Sequence, residues 1–151
     1  MAVGEVAGRR TLRLLIEYQG TDFVGWQIQA QGRTVQGELA RCLQILLQEP
    51  VCPIGAGRTD AGTHALGQVA HLHTHSALPV ERLHRGLNGL LPPDIAVLAV
   101  EEAPADFHAR YSARGKRYRY RIRTVKSAID RQLVWSLYQQ LDLEPMIQAA
   151  G

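Results

Sequence analysis

Along the first two thirds of this chain the apolar residues alternate between strand-like and helix-like spacing, and that alternation restricts the fold more than any other feature. Residues 11–18, TLRLLIEY, have the composition of a strand and run into the turn-like QGTD. After a loop through Gly32, Thr34 suits a helix N-cap, and Val35, Leu39, Leu43, Leu46 and Leu47 repeat at helical spacing until Pro50 ends the run. Val51 to Gly57 is short and apolar, which predicts a strand, and Leu66 to Thr74 predicts the next. Pro79 can open a second helix with Val80, Leu83, Leu87 and Leu90 on one face. Gly86 and Gly89 weaken it, each by about 1 kcal/mol relative to alanine, so tertiary packing has to hold it. Asp94 to Val100 follows the PP turn as a fourth strand. The order β-α-β-β-α-β predicts an α+β chain, a ferredoxin-like unit with an antiparallel or mixed sheet over roughly residues 11–102.

The expected organisation is a first domain over residues 1–105 and the start of a second over 106–151. In the latter, Lys116 to Arg123 predicts a strand, and a helix starts at Leu143 with little of its apolar face written before Gly151. The chain reads as cut short, which would leave a sheet edge open to self-association. No apolar run reaches the length of a membrane span, and MAVGEVAGRR has no apolar stretch behind its arginines, so a cytoplasmic protein without a membrane partner is expected. Cys42 and Cys52 fit no paired pattern and are expected to be reduced, partly buried thiols.

The net charge of +3 conceals an asymmetry. Between His108 and Arg131 lie nine basic residues and one acid, Asp130, while the remainder holds eight basic and thirteen acidic residues. Positive charge confined in this way is what a polyanion footprint requires, although a solvated face would share the pattern. Within it, the KRYRYRIR run places Arg117, Arg119, Arg121 and Arg123 at odd positions and Tyr118, Tyr120 and Ile122 at even ones. An extended segment would therefore have a cationic face and an aromatic one. Arginines contact phosphates and tyrosine rings stack on exposed bases, but tyrosines in a core with arginines in water would give the same alternation.

The stretch GAGRTDAGTHALGQ, Gly55 to Gln68, surrounds one arginine and one carboxylate with four glycines. It lacks the GK[ST] ending of a P-loop, and a strand rather than a helix follows, so neither a nucleotide cradle nor a dinucleotide site is supported. Gly55, Gly57 and Gly62 can instead take positive φ or admit a close backbone neighbour. Such a loop could present Asp60 at the rim of a sheet as nucleophile or general base, with Arg58 favouring its ionised form. An Arg-Thr-Asp surface turn is the plain alternative. His71, His73 and His75 alternate along the next strand, with His64 before them. Ligands at i, i+2 and i+4 of one strand span too far for a single ion, so a polar strand face is expected in place of a metal site.

Taken together, EYQGTDFVGWQ (Glu17–Gln27), TVQGEL (Thr34–Leu39), GAGRTDAGTHALGQVAH (Gly55–His71), LNGLLPPDI (Leu87–Ile95), DFHARYSARGKRYRYRI (Asp106–Ile122) and Trp135 closely resemble the TruA family of tRNA pseudouridine synthases. The resemblance runs in the family's order across nearly the whole chain from about Thr11. It implies two ferredoxin-like halves around a basic cleft, a homodimer, and isomerisation of uridine to pseudouridine in the anticodon arm of tRNA, with no cofactor and no metal. It also implies Asp60 as the catalytic aspartate, Arg58 as a substrate-contacting arginine and Tyr118 as the ring against the target base. Arg110, Arg114, Lys116, Arg117, Arg119 and Arg121 are the expected RNA contacts. Family members continue well beyond the point where this chain ends, and their second half completes the cleft. A binding module with RNA contacts and no chemistry is the alternative expectation.

Overall fold

In the computed structural model, which describes residues 8–150, the chain forms two compact units, one ending at Arg114 and the other beginning at Gly115. The expected boundary at 105/106 falls short of this division. Residues beyond 105 turn back on the first unit: the Phe107 N–H donates to the Pro104 carbonyl, and the Ala109 N–H donates to Nδ1 of His71.

The first unit has β1 (Arg10–Tyr18), a 3-10 turn (Gly20–Asp22), α1 (Val35–Leu47), β2 (Ile54–Gly55), β3 (Ala65–Thr74), α2 (Val80–Leu90) and β4 (Ile95–Ala103). The sheet order is β2-β3-β1-β4 with every neighbouring pair antiparallel, in agreement with the expected α+β, ferredoxin-like architecture. Alternate residues of β1 (Leu12, Leu14, Ile16 and Tyr18) share a core with Ala70 and Leu72 of β3 and with Val35, Leu39, Leu43, Leu83 and Leu87 of the helices. Each fully buried leucine there stabilises the fold by about 1.5–3 kcal/mol relative to exposure. The opposite face carries Thr11, Arg13 and Glu17, and Arg13 pairs with Glu101 across the β1–β4 ladder.

The local signals explain the boundaries. The Thr34 hydroxyl accepts the Gly37 N–H at 3.1 Å and caps α1. The helix ends at Gln48, in the left-handed region with φ 58°. Only Ile54 and Gly55 of the expected Val51–Gly57 strand pair with β3, because Pro53 has no N–H to give to a ladder and the Gly57 carbonyl is taken by the Gln68 side chain. At the far end of β3 the Glu49 carboxylate accepts from the Thr74 hydroxyl and from the His75 and Ser76 N–H groups. These bonds turn the chain out of the sheet, so His75 lies beyond the strand and the expected three-histidine stripe stops at His73. Cys42 is buried and Cys52 is exposed, which corrects the expectation of two partly buried thiols.

The two glycines of α2 differ in what surrounds them. A Cβ at Gly89 would meet nothing within 4 Å, whereas one at Gly86 would lie 2.7 Å from Cδ2 of Leu46 on α1. Gly89→Ala is therefore expected to stabilise the fold by about 0.5–1 kcal/mol, raising the urea midpoint. Gly86→Ala gains less because Leu46 has to repack.

The second unit contains β5 (Ile122–Arg123), β6 (Trp135–Ser136) and α3 (Leu143–Ala150). The helix begins where the spacing predicts. The strand expected from Lys116 to Arg123 is realised only in its last two residues, paired in parallel with Trp135 and Ser136. Alternation can prepare two faces, but a strand also needs a ladder, and here the ladder begins only at the Arg121 carbonyl, which accepts the Trp135 N–H.

Candidate active site

The loop from Ala56 to His64 joins β2 to β3, and main-chain and interior contacts hold it from both sides. On the β3 side the Ala56 N–H donates to the Val69 carbonyl at 2.7 Å, and the Gln68 amide donates to the Gly57 carbonyl at 2.7 Å. On the other side the segment after β1 lies against it: the Trp26 N–H donates to the Thr59 carbonyl, and the Gly62 N–H to the Phe23 carbonyl. Further along, the Gly20 N–H donates to Nδ1 of His64 at 2.9 Å. Gly55 admits the Trp26 indole, whose atoms come within 2.7–2.9 Å of where a Cβ would stand. Gly62 takes φ 78° at the turn closed by the Thr63 N–H and the Asp60 carbonyl.

Within this loop Thr59 points inward, its hydroxyl 2.8 Å from the hydroxyl of the buried Tyr18. Arg58 and Asp60, on either side of it, are exposed. Thus the threonine anchors the tip while its two neighbours face solvent. The glycines serve different ends: Gly55 admits a ring, Gly62 turns the chain, and Gly57 contributes its carbonyl. Among the ion pairs of the described residues none joins Arg58 to Asp60.

Several side chains that sequence reasoning passed over support the tip. Gln36, buried at the start of α1, accepts the Ile28 N–H and donates to the Pro53 carbonyl, joining the two segments that flank the loop. Arg33 holds the Asp94 carboxylate in a two-pronged pair at 2.6 and 2.8 Å, reaches Glu38 at 3.0 Å and stacks on the Phe23 ring at 4.1 Å. Gln36, Gln68, Phe23 and Asp94 all fall inside the motif stretches quoted above, which was the available signal; Arg33 immediately precedes one.

The Arg33 hydrogen bonds hold the Asp94 carboxyl below its usual range. Burial pushes Glu38 up, but bonds from Arg33 and Arg41 outweigh it and leave that carboxyl lowered as well. Folded values below unfolded ones mean stability that is fully present above the unfolded carboxylate range, about pH 4, and lost as pH falls through the folded values. Melting temperatures of the wild type and Asp94→Asn are therefore expected to differ most near neutral pH and to converge as acidification goes below the usual carboxylate range.

The expected RNA-contacting residues Arg110, Arg114, Lys116, Arg117, Arg119 and Arg121 are all exposed. Tyr118 and Tyr120 are 70% and 81% exposed, so the tyrosines do not occupy a core. The Arg123 guanidinium donates to the Ile129 carbonyl at 2.9 Å. No group of three histidine, cysteine or acidic side chains placed to hold a metal occurs among the described residues. No described helix is long and apolar enough to cross a membrane.

A family model described as tRNA pseudouridine synthase matches residues 14–112, from within β1 through β4, including both helices packed on the sheet and the Asp60 loop. The chain belongs to this tRNA pseudouridine synthase family. Among curated relatives it is 48% identical to tRNA pseudouridine synthase A of Myxococcus xanthus over 142 residues, covering 93% of this chain and 54% of that protein. The proteins of the same name from Moorella thermoacetica and Acetivibrio thermocellus are 47% and 46% identical over 144 residues, covering 93% and 94% of this chain and 58% and 59% of theirs. The chain thus spans rather more than half the length of these synthases.

Proposed function

We propose that this chain carries the catalytic-aspartate portion of a tRNA uridine isomerase. Asp60 is the catalytic carboxylate, Arg58 a substrate contact and Tyr118 the ring set against the target base. The observation that carries this reading is the presentation of Asp60, an exposed carboxylate on a loop tip fixed from both sides by main-chain bonds. A group held in this way can meet a flipped-out nucleotide without reorganising. In the isomerisation the N1–C1′ bond of uridine breaks, C5 of the turned base bonds to C1′, the C5 proton leaves and N1 gains one. Atoms and electrons balance within the nucleoside, so the step calls for no redox partner or cofactor. An ionised carboxylate can act on it as nucleophile or as base.

The exposed arginines supply the RNA contacts of this reading, on the anticodon arm of tRNA, and the exposed tyrosines offer faces for stacking. A homodimer and a cytoplasmic setting belong to the same proposal. The test is the salt dependence of tRNA binding. Each phosphate neutralised contributes a slope of about 0.7–0.9 log affinity per log salt, so Arg117→Ala with Arg119→Ala should flatten the slope by roughly 1.4–1.8. An unchanged slope would make the run a solvated face.

A further inference from the structure

His71 takes no part in the chemistry above, yet at 1% exposure it is as buried as the core leucines. Its neighbours in β3, Ala70 and Leu72, belong to the core shared with the helices, so its ring lies on the other face of the sheet. There it stands opposite Arg13 of β1, itself paired with Glu101 of β4, and opposite Ile54 of β2. The segment after β4 closes over it. Phe107 meets the ring edge-on at 6.1 Å, His108 packs at 4.5 Å and stacks in turn on Tyr111 at 4.2 Å, and His73 lies 5.4 Å away.

Nδ1 accepts the N–H of the buried Ala109 at 3.1 Å. An accepting Nδ1 in a neutral ring places the proton on Nε2. Burial, and then the positive charge that His108 and His73 can carry, push His71 down to about 4, which keeps it neutral at physiological pH. Arg9 acts in the same direction on His73. The covering segment closes on itself as well: the His108 carbonyl accepts the Ser112 N–H, and His108 Nδ1 accepts the Arg110 and Tyr111 N–H groups. Hence Ala109 is where this compact turn is fastened to the sheet.

We propose that His71 is a positioning residue, its ring tying the turn that leads to the Arg117–Arg121 run to β3, the strand that the Asp60 loop enters. The strand at one end of this tie, β3, is entered directly from residues 56–64. The element at the other end leaves the first unit at Arg114, just before the basic run. Fixing that point of departure removes chain freedom that RNA binding would otherwise have to remove. The proposal rests on the RNA-binding reading above.

The test uses this 151-residue chain in three forms: wild type, His71→Leu, which fills the site without an acceptor, and His71→Asn, whose side-chain oxygen can accept in place of Nδ1. In His71→Leu, exchange of the Ala109 amide should accelerate about tenfold, and tRNA affinity should weaken about 3- to 10-fold. The salt slope should stay unchanged because every arginine remains. His71→Asn should restore most of both. A folded His71→Leu with wild-type affinity would overturn the proposal, since a purely structural role lowers the melting temperature and leaves the binding of the folded chain alone. Wild-type protein that shows no salt-dependent tRNA binding would overturn the functional reading instead, while Ala109 exchange still decides the tie. Should His71→Leu fail to fold, 15N shifts of the wild-type ring at pH 7 decide it: a protonated Nε2 with an acceptor Nδ1 supports the tie, and the other tautomer or a charged ring overturns it.

Discussion

Asp60→Asn should lower pseudouridine formation by about 10³-fold or more while tRNA affinity changes little. The carboxamide keeps the volume of the side chain at the exposed tip but can neither bond covalently to the nucleoside nor take up a proton. Nothing in the loop's own architecture depends on this carboxylate, since Thr59, Gly57 and Gly62 are held through their main chain or, for Thr59, also through its inward hydroxyl. The variant should therefore melt at the wild-type temperature. Turnover is best read in a chimaera that joins this chain to the remaining portion of the Myxococcus xanthus relative, with pseudouridine counted in digested tRNA. A chimaera whose Asp60→Asn form keeps a tenth or more of its turnover would remove Asp60 from the catalytic role.

Gly20→Ala is the second change expected to have a large effect, and it acts without touching the chemistry. A Cβ at Gly20 would overlap the Thr63 carbonyl oxygen, a backbone atom with no rotamer to yield. Gly25 is comparable, with φ 117° and the Thr59 carbonyl oxygen 2.8 Å from where its Cβ would stand. Alanine at either position should destabilise the first unit by about 2–4 kcal/mol, through overpacking at Gly20 and with added backbone strain at Gly25. Gly62→Ala, whose Cβ would find open space at φ 78°, should cost only about 1–2 kcal/mol. Denaturant unfolding of the three variants checks that order. If Gly62→Ala proved the most damaging, close packing between the two segments would not be what holds the loop.

The elements legible from sequence were those whose signals are local. Thr34, the leucine repeat behind it and Pro50 delimited α1, and the β-α-β-β-α-β order predicted the sheet that formed. The candidate aspartate and its glycines were legible for the same reason, since turn chemistry is written in adjacent residues. Readings that depended on distant partners were less complete. The alternation of KRYRYRIR predicted a strand over residues 116–123 but could not show that only Ile122 and Arg123 would find ladder partners, and His71 read as one of a polar stripe because its burial comes from residues 107–109. Arg33 gave no sign of its role because Asp94, 61 positions away, defines it.

The manner in which the Asp60 loop is held also orders events in time. Its bonds join positions far apart in the chain, as Tyr18 and Thr59 do across 41 residues, while β2 contributes only two ladder pairs of its own. Loop closures of this kind become favourable only after β1 and β3 have met and the segment through Trp26 has docked. The Asp60 tip should thus be among the last parts of the first unit to take shape during folding. In native-state exchange, the amides of Trp26 and Gly62 should open at lower free energy than those of the β1–β3 ladder, so the chain can lose its site while keeping its sheet.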